Sequence, residues 1–180
     1  LLNLKKDDEV IMPSYTFTST ANAVLLRGAK PVFADVNLHD ANLNYESVRK
    51  KINKRTKAII VVHYAGNSCD MQKFLELKRQ HNLILIEDCA HSFMGKFKNQ
   101  FLGTIGDFGT FSFHETKNLV GGQCGAISIN DNKVCEVNVK NDLKIVDLTG
   151  AGDLFAAGYL HGYLNNFSQN DCLDKGTEMA

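Results

Sequence analysis

Ile84-Leu85-Ile86-Glu87-Asp88-Cys89-Ala90-His91 carries an apolar strand, read over Leu83–Glu87, that ends in an acidic residue. A run that apolar reads as a strand covered on both faces, the habit of parallel sheets. The same pattern recurs on either side. Upstream, Glu9–Pro13, Pro31–Val36 and Lys57–His63 read as strands. Ser19–Leu26 (closed by Gly28), Tyr45–Ile52 and Asp70–His81 have helical periodicity. Downstream, Thr110–Phe113 and Ala126–Ile129 read as short strands around a loop. Strands alternating with helices imply βαβ units, hence an α/β fold with a largely parallel sheet. Ligands on such sheets collect beyond the carboxyl ends of strands, where Ser14–Phe17, His63, Asp88 and Lys117 fall.

Lys117 sits in Phe111-Ser112-Phe113-His114-Glu115-Thr116-Lys117-Asn118, ahead of the glycine-rich turn Gly121-Gly122-Gln123-Cys124-Gly125. An amine after one strand and a carboxylate ending another are the two parts that pyridoxal 5'-phosphate (PLP) requires. The amine holds the aldehyde covalently. The carboxylate pairs with the protonated pyridine nitrogen and keeps the ring an electron sink. Each residue alone has a plainer reading. A loop lysine is most often solvated, a strand-end aspartate often caps a helix, and a serine often satisfies nearby backbone.

Four runs together tip the balance: Asp8–Asn22, Val62–Gly66, Ile86–His91 and Phe111–Asn118. On these, the chain from Asp8 to about Asn130 resembles the DegT/StrS nucleotide-sugar aminotransferases, within the fold-type I PLP enzymes. The resemblance implies that residues 1–131 form part of that fold's large domain. It assigns Lys117 to holding PLP and moving a proton between substrate carbon and cofactor carbon. It assigns Asp88 to the pyridine nitrogen, Ser112 to the cofactor phosphate, Phe17 to stacking on the ring and His91 to the neighbourhood of the ring oxygen. It further implies an amino donor, typically glutamate, a keto sugar on a nucleotide diphosphate as acceptor, and a homodimer when intact. Gln123 and Cys124 depart from the family pattern, which usually carries a glutamate and a glycine there. The opening residues Leu1–Asp8 read as a helix end entered partway, and a chain truncated at both termini is expected.

Beyond Asp131 the pattern changes. Val134–Val139 and Leu143–Val146 read as strands, Gly152–Leu164 and Asp171–Ala180 as helices. Asp147-Leu148-Thr149-Gly150-Ala151-Gly152-Asp153 and the residues through Tyr159 resemble a signature of ribokinase-like (PfkB) carbohydrate kinases. That resemblance implies a short α/β kinase fragment over 132–180. Asp153 would be the base toward a sugar hydroxyl, Gly150, Ala151 and Gly152 an anion hole, and ATP with Mg the cofactors. So small a fragment is not expected to be competent. Three readings stand open: an aminotransferase fragment with a kinase tail, a sugar kinase, and a catalytically silent fusion.

Composition sets outer bounds. At 180 residues and 44% hydrophobic, the chain can build a real core. Its formal net charge of zero argues against a nucleic-acid partner. No apolar run approaches the ~20 residues of a membrane span. Five scattered cysteines without a CxxC pair support neither a disulfide framework nor a metal site, and fit a reducing cytoplasm.

Overall fold

The computed structural model describes residues 2–122, 124–130 and 167–179, together with Tyr159, Gly162 and Asn165. The chain divides into two compact units. The larger comprises Leu2–Phe111 and Ser128–Asn130; the smaller comprises Ser112–Ile127 and the described residues from Tyr159 onward.

The larger unit is built as the apolar runs require. β1 (Glu9–Pro13) leads through α1 (Thr18–Leu25) to β2 (Lys30–Ala34). α2 (Tyr45–Lys51) precedes β3 (Thr56–Val62), and α3 (Met71–His81) precedes β4 (Ile84–Asp88). After a two-stranded hairpin, β5 (Lys96–Phe97) and β6 (Gln100–Phe101), the chain enters β7 (Phe108–Ser112). The sheet order is β2-β1-β3-β4-β7, and all four pairings are parallel. Register places Ile11 opposite both Val32 and Ile59, Ile60 opposite Ile86, and Asp88 opposite Thr110.

Alternation along the strands sends side chains to two cores. Ile11, Ile59, Val61 and Leu85 join Val48 of α2 and Met71, Phe74 and Leu77 of α3 on one face. Val10, Met12, Ala58 and Ile60 join Val24 of α1 on the other. The sheet is therefore covered on both sides, which explains why its strands are not half polar. Since β1 connects outward to β2 and the chain then returns to β3 on β1's other side, the order reverses between β1 and β3. Such a reversal opens a crevice at the carboxyl edge.

Local signals end the helices as their residues suggest. Gly28, at φ +75°, follows α1. Asn82 closes α3 in the left-handed region. The helix end expected at the amino terminus is absent: residues 2–5 carry no regular structure and Lys6–Asp7 form a turn. Positive φ at Asn3 and Asp7 is incompatible with a helix there. The β5–β6 hairpin is an addition that the sequence pattern did not suggest.

In the smaller unit, α4 (Gln169–Met179) corresponds to the helix expected from Asp171. Ser168 opens it, its hydroxyl accepting from the Asp171 N–H at 3.2 Å. The segments 134–139 and 143–146 and the kinase-like residues Gly150, Ala151, Gly152 and Asp153 lie outside the described residues.

Candidate functional site

Adjacent acids at the end of β4 face opposite ways. Leu85 and Glu87 point into the core shared with α3, while Ile84, Ile86 and Asp88 point toward α1. Glu87 is fully buried. Its Oε1 accepts from the Ile105 and Gly106 N–H groups at 2.7 and 2.6 Å. Its Oε2 accepts from the Gly103 N–H at 2.9 Å and lies 3.0 Å from His63 Nε2. His63 Nδ1 accepts from the Cys69 N–H at 3.1 Å, so a neutral ring carries its proton on Nε2 and donates it to Glu87. Glu87 thus ties the loop 103–106 and the end of β3 to β4.

His63, Glu87 and Cys89 bring one potential metal-binding atom each within 4.8 Å of one another. The donor set does not suit an ion. Both His63 nitrogens and both Glu87 oxygens are already engaged, and burial pushes the Cys89 thiol up to about 12. A thiol that stays protonated is a poor metal ligand.

Asp88 is held differently. Its Oδ1 accepts from the Ala90 N–H at 3.1 Å and its Oδ2 accepts from the Thr20 hydroxyl at 3.3 Å. No helix follows, so Asp88 is not a helix cap. Within its own unit it forms no ion pair. Each oxygen of this half-buried carboxylate accepts one neutral donor and retains a lone pair for a cationic N–H. That is the chemistry a protonated pyridine nitrogen needs, so the donor set fits PLP at this end of the sheet.

Around the crevice stands a rim of rings. After β1, Tyr15 meets Tyr64, which follows β3: their hydroxyls are 2.9 Å apart and their ring centroids 5.0 Å. That hydrogen bond holds the Tyr64 phenol above its ordinary range. His91, after β4, meets the Tyr64 ring edge-on at 5.7 Å, and its Nδ1 accepts from the Ala65 N–H at 3.4 Å. Both tyrosine and histidine positions lie at the carboxyl edge that the topology selects.

Phe17 is the N-cap of α1, with no side-chain cap bond, and is 77% exposed. Helices favour Ser, Thr, Asp or Asn at that position. Local rules break where another task claims a residue. Phe17→Ser is expected to raise stability by about 0.5–1 kcal/mol, read from the urea midpoint, because a cap bond is gained and little burial is lost.

Ser112 and Lys117 belong to the smaller unit. Its turn is fixed locally: Phe113 N–H donates to the Cys124 carbonyl at 2.9 Å and Gly121 N–H to the Phe113 carbonyl at 2.8 Å. Lys117 N–H donates to the His114 carbonyl at 2.9 Å, and His114 Nδ1 accepts from the Thr116 N–H at 3.2 Å. Lys117 is half-buried, and among the described residues of its unit nothing hydrogen-bonds or pairs with its ammonium. Thr20 and Glu87 were not singled out in the sequence. The one signal for Thr20 was the spacing Thr16-x-x-x-Thr20, which puts two hydroxyls on one side of an incipient helix.

Solved aminotransferases share this two-sided, mostly parallel α/β sheet. An aminotransferase from Psychrobacter cryohalolentis superposes with a TM-score of 0.70 at 38% identity, over 72% of this chain and 33% of its own. Helicobacter pylori PseC, an aminotransferase involved in pseudoaminic acid biosynthesis, superposes with a TM-score of 0.67 at 34% identity, over 71% of this chain and 34% of its own. The chain belongs to the DegT/DnrJ/EryC1/StrS aminotransferase family, whose model matches residues 1–141. GDP-perosamine synthase of Escherichia coli O157:H7 is 39% identical over 130 residues, 72% of this chain and 36% of the relative. The chain thus spans about a third of the length of the relatives it matches. The comparisons lend no support to the kinase-like reading of residues 132–180 or to a fusion. Among the described residues, no helix is long and apolar enough to cross a membrane.

Proposed function

We propose that this chain is the part of a PLP-dependent aminotransferase that seats the cofactor, and that the protein transfers an amino group, typically from glutamate, to a keto group of a nucleotide-linked sugar. The observation that carries this reading is Asp88: a carboxyl group at the carboxyl edge, held by Thr20 and Ala90 and by no cation of its own unit. PLP, when bound, supplies an electron sink that lets an amino group leave one carbon skeleton and join another.

The residues would divide the remaining work. Asp88 holds the proton on the pyridine nitrogen. Lys117 holds the cofactor through its amine and then carries a proton on Nζ between carbon atoms. Ser112 donates its hydroxyl to the phosphate. Phe17 covers one ring face and excludes water, and His91 orients the ring oxygen. Residues 1–131 contribute these groups as part of the large domain, and a homodimer with nucleotide-sugar and amino-acid substrates follows from the same reading. The GDP-linked product in the name of the E. coli relative supports a nucleotide sugar as acceptor.

Asp88→Asn keeps the shape and loses the charge. With PLP and L-glutamate, it is expected to slow conversion of the bound cofactor roughly a hundred- to thousandfold, the scale for losing one preorganised electrostatic partner. Stopped-flow absorbance measures this without a sugar substrate. Equal rates in wild type and variant would remove Asp88 from the site and end this reading.

A further inference from the structure

We propose that Thr20 is the positioning residue for Asp88, the middle member of a directed hydroxyl chain Thr16→Thr20→Asp88 that aims the carboxylate at the cofactor nitrogen. The inference rests on the assignment of Asp88 above and adds a residue to it.

The direction of the chain follows from counting protons. Thr20 is 9% exposed, and its hydroxyl donates to Asp88 Oδ2 at 3.3 Å. A hydroxyl has one proton to give. In the 3.0 Å contact between Thr16 Oγ1 and Thr20 Oγ1, Thr16 is therefore the donor. Accepting from Thr16 polarises the Thr20 hydroxyl and strengthens its gift to the carboxylate. The fold makes this contact: Thr20 and Val24 form the buried side of α1, and that side packs with Ile84 and Ile86, which share a face of β4 with Asp88.

A carboxylate rotates about its last torsion with only a broad twofold preference. Ala90 N–H on Oδ1 and Thr20 on Oδ2 together fix its plane, one donor per oxygen. With Thr20 removed, Oδ2 is free to turn toward water. Positioning by a neutral donor also differs from positioning by a lysine or arginine, because it leaves the full negative charge available to a cationic ring nitrogen.

The test compares PLP titrations of wild type, Thr20→Val, Thr20→Ser and Asp88→Asn, read by visible absorbance across pH. Valine matches threonine in shape and lacks the hydroxyl, and serine restores it. Thr20→Val is expected to weaken PLP binding roughly three- to tenfold, the scale of one hydrogen bond to a charged group. It should also displace the pH at which the bound band changes. Thr20→Ser should restore both. A purely structural threonine would alter melting of the cofactor-free chain and leave the pH of the spectral change in place. If Asp88→Asn is impaired while Thr20→Val matches wild type in affinity and spectrum, the Thr20 role is overturned and the Asp88 assignment survives. If Ser fails to rescue, the hydroxyl chain is likewise overturned. If Asp88→Asn itself titrates as wild type, the underlying assignment is what has failed, and the Thr20 role falls with it.

Discussion

Glu87→Ala is expected to unfold the larger unit. The side chain is fully buried and receives three backbone N–H groups and the His63 ring. Alanine leaves all four donors inside a dry core, and each orphaned buried group costs on the order of 1–3 kcal/mol. A loss of about 4 kcal/mol or more would consume much of a typical domain's stability. Glu87→Gln should cost less, because one acceptor remains, although its NH2 must face backbone donors. Urea unfolding followed by far-UV circular dichroism separates the three proteins. Burial by itself pushes the Glu87 pKa up, yet hydrogen bonds from His63 and from the Gly106 and Gly103 N–H groups outweigh it and hold the carboxyl below its usual 4.5. A carboxyl with a lower pKa folded than unfolded stabilises the fold in full above the unfolded value. That contribution is lost as pH falls through the folded value. The wild-type midpoint should therefore drop below pH 4.5 more steeply than that of Glu87→Gln. Parallel curves would mean that Glu87 is not the anchor of loop 103–106.

Why Glu87 stayed invisible in the sequence, while Asp88 did not, is a matter of parity. An acid ending an apolar strand is a visible break in composition, and Asp88 is that break. The acid one residue earlier looks like part of the same break. Only the register, with Leu85 and Glu87 on the α3 side, shows that it points into the core. The strands and helices of the sheet were legible because long apolar runs and 3.6-residue periodicity report burial directly. The β5–β6 hairpin was not, since two-residue strands with exposed or half-exposed side chains leave no pattern. The family signature in Asp8–Asn22 pointed at Phe17 through its ring. Thr20 depends on a partner 68 residues away, and no local rule foretells such a contact. The kinase-like run 147–153 lies outside the described residues and beyond the family match. The aminotransferase family match runs through residue 141 and so crosses residue 131, where the two readings were divided.

Lys117→Ala is expected to abolish covalent capture of PLP while leaving the fold intact. The turn that carries Lys117 is held by main-chain bonds and by His114: the Lys117 N–H reaches the His114 carbonyl, and the His114 ring receives the Thr116 N–H. None of these involves the Lys117 side chain, so alanine removes an amine and little else. Among the described residues of its unit the Lys117 amine has no hydrogen-bond or ion-pair partner, so no such contact has to be broken before it reacts with an aldehyde. Borohydride reduction of the PLP-treated wild type should leave one stable adduct on the peptide containing Lys117, formed at substoichiometric PLP, before the solvated surface lysines react. Lys117→Ala should show none at that position and no visible band. Lys117→Arg should behave as alanine does, because it keeps the charge and loses the nucleophile. Proton transfer by a positioned side chain contributes roughly a hundred- to ten-thousandfold, so the glutamate-driven conversion should fall by that factor in both variants even where PLP is held without a covalent link. An adduct spread over surface lysines, unchanged in Lys117→Ala, would show that the amine holding the cofactor lies elsewhere in the protein.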